Sequence, residues 1–127
     1  MKDNNPLSPH IQIYNWHISS LVSISHRITG VFNIILISLI CCMASFLLLG
    51  ENNYFLIYQF LNSFFGKFFI IAMIWSFTFQ ILSELRHIFW DLGYGFDLKI
   101  ANITGLLVIF GSLFFTPLIY LLGRIVL

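Results

Sequence analysis

The sequence predicts an all-α membrane protein, with three transmembrane helices preceded by a short interfacial N-terminal segment. Three observations predict it. Of the 127 residues, 59% are hydrophobic and only 9% charged, against about 25% charged in a soluble domain. So little charge cannot cover a surface that faces water. Three apolar runs, 28–49, 64–85 and 103–122, each approach the ~20 residues that cross ~30 Å of hydrocarbon as a helix. A lone span in lipid must also satisfy its own backbone hydrogen bonds, which makes it helical. With their polar ends included, the spans are expected at about 21–49, 64–90 and 103–124, within one domain covering 1–127.

The segment 1–19 opens the chain on one side of the membrane. Pro6 and Pro9 favour extended backbone there, and Trp16 and His17 read as interfacial anchors. The first span does not read as a secretory signal. About 27 mostly polar residues precede it, it is too long for an h-region, and no small-residue cleavage site follows. Met1-Lys2-Asp3-Asn4-Asn5 is neither Arg-rich nor free of acids, so a transit peptide is not expected either. A mitochondrial member would then be encoded in the organelle, or be given in its mature form.

Ser19 or Ser20 is placed to cap the first span, and Ser23 and Arg27, four apart, share a face. Cys41 and Cys42 read as small packing residues in mid-membrane. The connection "GENNYFLIYQFLNSFFG" is expected at the interface, with Tyr54 and Tyr58 at headgroup level. On the second span, Gln80, Glu84, His87 and Asp91 fall at i, i+4, i+7 and i+11, which makes one stripe; Ser83, Arg86 and Trp90 form the stripe beside it. Asp97, Lys99 and Arg124 flank the third span as snorkelling groups. The Asn102-Ile103-Thr104 sequon abuts that span and is discounted.

Three spans put the N-terminal tail and the second connection on one side. That side holds Lys2, Arg27, Arg86 and Lys99, against Lys67 and Arg124 on the other. The positive-inside rule therefore places the N-terminus in the cytoplasm or mitochondrial matrix. The same topology brings Ser23, His26 and Arg27 to the membrane face where Glu84, Arg86, His87 and Asp91 emerge. Polar groups entering an apolar helix face protein or a cavity rather than lipid.

Several function classes are excluded. No HExxH, CxxC, P-loop or GxGxxG is present, and a net charge of +1 gives no footprint for nucleic acid. Ser23 with His26 lacks the third, orienting group of a nucleophile–base pair. A transporter would need its polar groups at the midplane, whereas these sit at one face. Two readings remain: a site for an amphipathic ligand such as a quinone, or an anchor for a peripheral partner. A quinone headgroup needs hydrogen-bond donors near the surface, and its tail needs lipid.

At these residues the chain resembles a family. "SPHIQIYNWHISSLVSISHRITG" is similar to the amino-terminal signature of the large membrane-anchor subunit of succinate dehydrogenase, the cytochrome b subunit of complex II. That pattern reads roughly S-P-H-x-x-I-Y, then S-I-x-H-R-x-[ST]-G. "LRHIFWDLGYGF" resembles the family's R-H-x-x-x-D-x-G at the end of the second span, and "IANITG" before the third span also resembles alphaproteobacterial and mitochondrial members. The resemblance runs along the whole chain. It implies a second three-helix anchor subunit as partner, and docking of the iron–sulfur and flavoprotein subunits. Electrons would then pass from succinate to ubiquinone at the membrane surface, in a mitochondrial or bacterial inner membrane. Ser23 matches the serine that hydrogen-bonds the quinone, with Ile24 beside it. Arg27 matches an arginine near both the quinone and a haem propionate, His26 a histidine beside the haem, and Asp91 an acid at the quinone-side interface. Serine can donate to a quinone carbonyl, and arginine stays charged at any relevant pH.

One position departs from the family. Seven residues before the histidine of R-H, where the axial haem histidine belongs, "TFQILSELRH" carries Gln80, and Glu84 replaces the usual glycine. A glutamine amide is a poor haem ligand beside imidazole. His87 lies two turns, about 10.5 Å, further along. Haem b is then absent, held only by the partner subunit, or ligated by an unexpected residue; an ordinary bis-histidine haem b is not expected, and no metal ligand is assigned. The alternatives are a purely structural anchor with degenerate sites, and the anchor of a fumarate reductase.

Overall fold

The computed structural model describes residues 15–126, so the expectations for Lys2, Pro6, Pro9 and the S-P-H-x-x-I-Y motif lie outside the described residues. Four helices follow in order: α1 (Ile18–Leu47), α2 (Glu51–Asn62), α3 (Phe64–Asp91) and α4 (Leu98–Val126). No strand occurs among the described residues. α1, α3 and α4 have 30, 28 and 29 residues and are long and apolar enough to cross a membrane. At 1.5 Å per residue they measure about 42–45 Å. That exceeds ~30 Å of hydrocarbon, so each helix carries its end turns into the headgroup layer.

Two boundaries differ from the sequence expectation. Neither Ser19 nor Ser20 caps α1: the N-cap is His17, with no side-chain capping bond, and both serines lie inside the first turn. The helix starts earlier because Leu21 N–H already bonds the His17 carbonyl at 3.1 Å. The third span likewise starts at Leu98 rather than 103, with Ala101 N–H on the Asp97 carbonyl at 2.8 Å. The connection at 50–66 is itself largely helical, as α2, and stacks Tyr54 on Tyr58 with ring centroids 6.2 Å apart.

α2 meets α3 at a tight corner. Ser63 ends one helix and caps the other, its hydroxyl accepting from Gly66 N–H at 3.1 Å. A Cβ on Gly66 would collide with the Phe60 carbonyl oxygen and come within 2.7 Å of Leu61 Cα, so backbone meets backbone there.

Lipid provides no hydrophobic drive between helices, so small residues and hydrogen bonds must hold them together. The three long helices are joined accordingly. Val22, Phe79 and Val108 form a modest apolar core with Ile18, Trp75, Leu82 and Ile109 around it. The other buried positions are mostly small or hydroxylic: Ser76, Ser83, Ala101, Ser112 and Thr116. Gly105 lets α4 approach α1 closely, since a Cβ there would lie 2.9 Å from Ile18 Cγ2. Large apolar residues such as Ile28, Ile34, Leu107 and Phe110 point outward. Cys41 and Cys42 are also exposed. Both are free thiols on the outer side of α1, which turns its Asn33 and Leu36 side inward.

Candidate polar site at one end of the helix bundle

The first turns of α1 and the last turns of α3 meet, as the topology requires. Four polar side chains predicted from sequence come together: His26 from α1, and Gln80, Glu84 and His87 from α3. His26 Nε2 lies 2.9 Å from Gln80 Nε2 and 2.8 Å from Glu84 Oε1. The His26 and His87 rings stand 5.2 Å apart at 35°, and His87 in turn packs edge-on to Trp90. His87 Nδ1 lies 2.8 Å from the Ser83 carbonyl one turn back. That carbonyl can only accept, so Nδ1 carries the proton.

From His26 the polar contacts continue into the membrane. Thr29 Oγ1 lies 3.0 Å from Gln80 Oε1 and within 3.0 Å of the Ser25 and His26 carbonyls. One turn deeper, the Ser76 hydroxyl donates to Asn33 Oδ1 at 2.6 Å. Glu84 to Ser76 spans eight residues, about 12 Å of helix. The result is a ladder between α1 and α3 that begins at the half-exposed Glu84 and ends near mid-span.

The chemistry of the ladder is uneven along its length. Glu84 is half-exposed and His26 about one-fifth exposed, and both are titratable. Beyond them stand an amide, two hydroxyls and another amide. A glutamine amide passes no proton at ordinary cost, so the deeper half joins helices rather than conducting. Sequence reasoning missed Thr29, Asn33 and Ser76. Their signal was present: His26, Thr29 and Asn33 repeat at i, i+3 and i+7 on α1, opposite Ser76, Gln80 and Glu84 at i, i+4 and i+8 on α3.

Other expected site residues go elsewhere. Arg86 does not join the cluster. It is 4% exposed and turns to α4, donating from Nη2 to the Ala101 carbonyl at 3.0 Å and from Nε to Thr104 Oγ1 at 3.2 Å. Its guanidinium lies 4.1 Å from the Trp90 ring centre. Ser83, from the same stripe, is also fully buried. Ser23 is half-buried and Ile24, Arg27 and Asp91 are exposed. Among the described residues, the side chains of Ser23, Arg27 and Asp91 make no hydrogen bond or ion pair. The face of α1 that carries Ser23, Ile24 and Arg27 is thus left open beside a face that is fully paired.

A b-type haem takes its axial ligands from side chains such as imidazole. Two positions do not fit that role as they stand: the side chain at position 80 is an amide, and the His26 imidazole is held by Gln80 and Glu84.

The chain is similar to known proteins along most of its length. The family model for the succinate dehydrogenase/fumarate reductase transmembrane subunit matches residues 1–119. The succinate dehydrogenase cytochrome b556 subunit of Rickettsia felis is 38% identical over 120 residues, covering 93% of this chain and 92% of the relative. The cytochrome b560 subunit of Marchantia polymorpha is 32% identical over 123 residues, 90% of this chain and 87% of the relative. The cytochrome b556 subunit of Paracoccus denitrificans is 31% identical over 116 residues, 87% and 85% respectively.

Proposed function

The chain belongs to the succinate dehydrogenase/fumarate reductase transmembrane subunit family, and from that premise we propose that it anchors a succinate:ubiquinone oxidoreductase and builds part of its quinone site. The observation that carries the proposal is the open face of α1. Ser23 and Arg27 offer a hydroxyl and a guanidinium with no partner among the described residues, at the end of the bundle where helices reach the headgroup layer. A quinone headgroup is held there by donors, Ser23 giving one hydrogen bond and Arg27 a fixed positive charge. Ile24 covers the ring from the apolar side, and the isoprenoid tail runs into lipid. Asp91, exposed after the last turn of α3, meets the peripheral partner.

The open face also implies partners. A second small anchor subunit covers the apolar sides of the helices, and an iron–sulfur subunit closes the site from the aqueous side, carrying electrons from the flavoprotein. The N-terminus lies on that same matrix or cytoplasmic side.

The relatives are named as cytochromes b. When bound, haem b would offer such a complex a second resting place for an electron. This chain supplies no axial imidazole at position 80, so the proposed route from iron–sulfur centre to quinone does not pass through it. The dithionite-reduced spectrum of the purified complex tests this point. A low-spin band of a bis-histidine b haem would contradict the reading.

Ser23→Ala and Arg27→Ala test the quinone site in the purified complex. Ser23→Ala is expected to lower succinate–quinone reduction up to about tenfold, the loss of one neutral hydrogen bond at ~0.5–1.5 kcal/mol, and Arg27→Ala at least tenfold, the loss of a charge-assisted one at ~1.5–3 kcal/mol. Succinate oxidation by a water-soluble dye should remain. If both variants keep full quinone activity with normal assembly, the chain is a structural anchor only.

A further inference from the structure

The polar cluster contains a conflict at one atom. His26 Nε2 faces two groups at hydrogen-bond distance, Gln80 Nε2 at 2.9 Å and Glu84 Oε1 at 2.8 Å. A ring nitrogen has one site. Bare, it can accept from the Gln80 amide N–H; protonated, it can donate to the Glu84 carboxylate; it cannot do both. Two complete arrangements resolve the conflict. With Nε2 bare, Gln80 N–H donates to it, the Thr29 hydroxyl donates to Gln80 Oε1 at 3.0 Å, and Glu84 turns to water. With Nε2 protonated, the proton goes to Glu84 and the Gln80 amide rotates end for end. Its oxygen then faces the imidazole, and its N–H₂ donates to Thr29 Oγ1. The Thr29 hydroxyl proton moves to the Ser25 carbonyl at 2.9 Å. Every group keeps a partner in both, and neither helix has to move.

We propose that His26 and Glu84 form a proton-carrying pair that supplies the site at Ser23 and Arg27, with Gln80 as the rotating amide that accommodates either protonation state. The inference rests on the quinone reading above and deepens it. Ser23 stands one turn from His26, about 4.5 Å of helix rise, and Glu84 is half-exposed, so water reaches one side of the pair and the site lies on the other. Reducing a quinone to a quinol takes two electrons, supplied by the iron–sulfur partner, and two protons, one on each oxygen. In each of two passes, one for each quinone oxygen, Glu84 gives its proton to Nε2, the imidazolium releases its Nδ1 proton toward the site, water recharges Glu84, and rotation of the ring or exchange with water restores the Nδ1–H form. The groups around His26 are identified on every packed element. On α3 they are Glu84 and His87, and on its own helix Arg27 is adjacent. Among the described residues, the titratable groups of α4 are Lys99, Tyr120 and Arg124, and those of α2 are Glu51, Tyr54 and Tyr58. None of these makes contact with His26.

The test is succinate–quinone reduction by the intact purified complex from pH 6 to 9, with dye reduction as the control. Glu84→Gln should keep dye reduction, lower quinone reduction about a hundredfold at pH 8, the low end of what a positioned proton donor contributes, and recover part of it toward pH 6, where bulk acid substitutes. The solvent deuterium isotope effect on quinone reduction should rise. Gln80→Met, which removes the rotating amide and leaves both titratable groups, should steepen the pH profile in the same direction and serves if the Glu84 variant does not assemble. A parental rate and pH profile in Glu84→Gln, or in Gln80→Met where that stands in for it, overturns the proton pair. The outcome is separable from failure of the quinone reading, because Ser23→Ala and Arg27→Ala then still lose quinone reduction. If those two are also parental, the quinone site itself is refuted.

Discussion

The hydrogen bond between Ser76 and Asn33 gives the sharpest test of how α1 and α3 are joined. The Ser76 hydroxyl donates to Asn33 Oδ1 at 2.6 Å, and the two residues are 0% and 6% exposed. Ser76→Ala deletes one oxygen and opens almost no cavity, so its cost is that of stranding the Asn33 amide. In a soluble core a stranded polar group costs about 1–3 kcal/mol. Across membrane helices the measured average is only ~0.6 kcal/mol, with a ceiling near 1.7, because separated helices find other partners. This bond is short and fully enclosed, so a value near the ceiling is expected, about 1.5 kcal/mol or roughly twelvefold in the folding equilibrium.

Asn33→Leu then removes the stranded group at similar volume. The double variant should be more stable than Ser76→Ala alone. The measurement is a double-mutant cycle on the purified complex, read as resistance to graded SDS in mixed micelles. A coupling below about 0.3 kcal/mol, within the scatter of additive sites, would refute the direct contact and with it the register of the whole ladder.

Three further outcomes follow from the packing. Gly105→Ala should destabilise by about 1 kcal/mol: the new Cβ meets Ile18 Cγ2 at 2.9 Å, overpacking costs ~1–3 kcal/mol, and better helix propensity returns ~1; equal or greater SDS resistance would contradict the close approach. Arg86→Lys should weaken the docking of α4 while keeping the charge, because a lysine cannot reproduce two donors and stacking on Trp90. A lowered midpoint for loss of quinone activity on heating, by a few degrees, is the readout, and an unchanged midpoint would count against the Arg86 contacts. Gly66→Ala should disrupt the α2–α3 corner, exposing 51–62 to limited proteolysis, since a Cβ has only backbone to displace there; parental resistance would contradict that corner.

Much of this was legible in the sequence because membrane helices announce themselves by length. The three spans, the shared membrane face and the meeting of His26 with Gln80, Glu84 and His87 follow from hydropathy, topology and i, i+4, i+7 spacing. Arg86 was not legible. It neighbours His87 in the motif, but one residue turns a helix by about 100°, and which neighbour it finds depends on where α4 packs. The ladder below Gln80 was hidden for a related reason. A serine or asparagine inside an apolar run reads as a tolerated polar residue until the facing helix supplies its partner in register. The start of α4 at Leu98 was missed because Lys99 and Asn102 interrupt the apolar run that marks the span.

The two departures from the family pattern belong together. Glu84 and Gln80 are one turn apart on α3 and both reach His26 Nε2, so neither would leave the imidazole free to serve a haem. Glu84 is half-exposed and has His26 at 2.8 Å. Gln80 alone would remove a ligand and leave a polar amide facing apolar side chains, and it is held by His26 on one side and Thr29 on the other. Each substitution is satisfied by the same histidine, which also stands one turn from Ser23. The place where the resemblance leads one to expect an axial haem ligand is therefore filled by paired polar side chains in this chain. That paired face stands next to an unpaired one, which holds the serine and arginine proposed to bind the quinone.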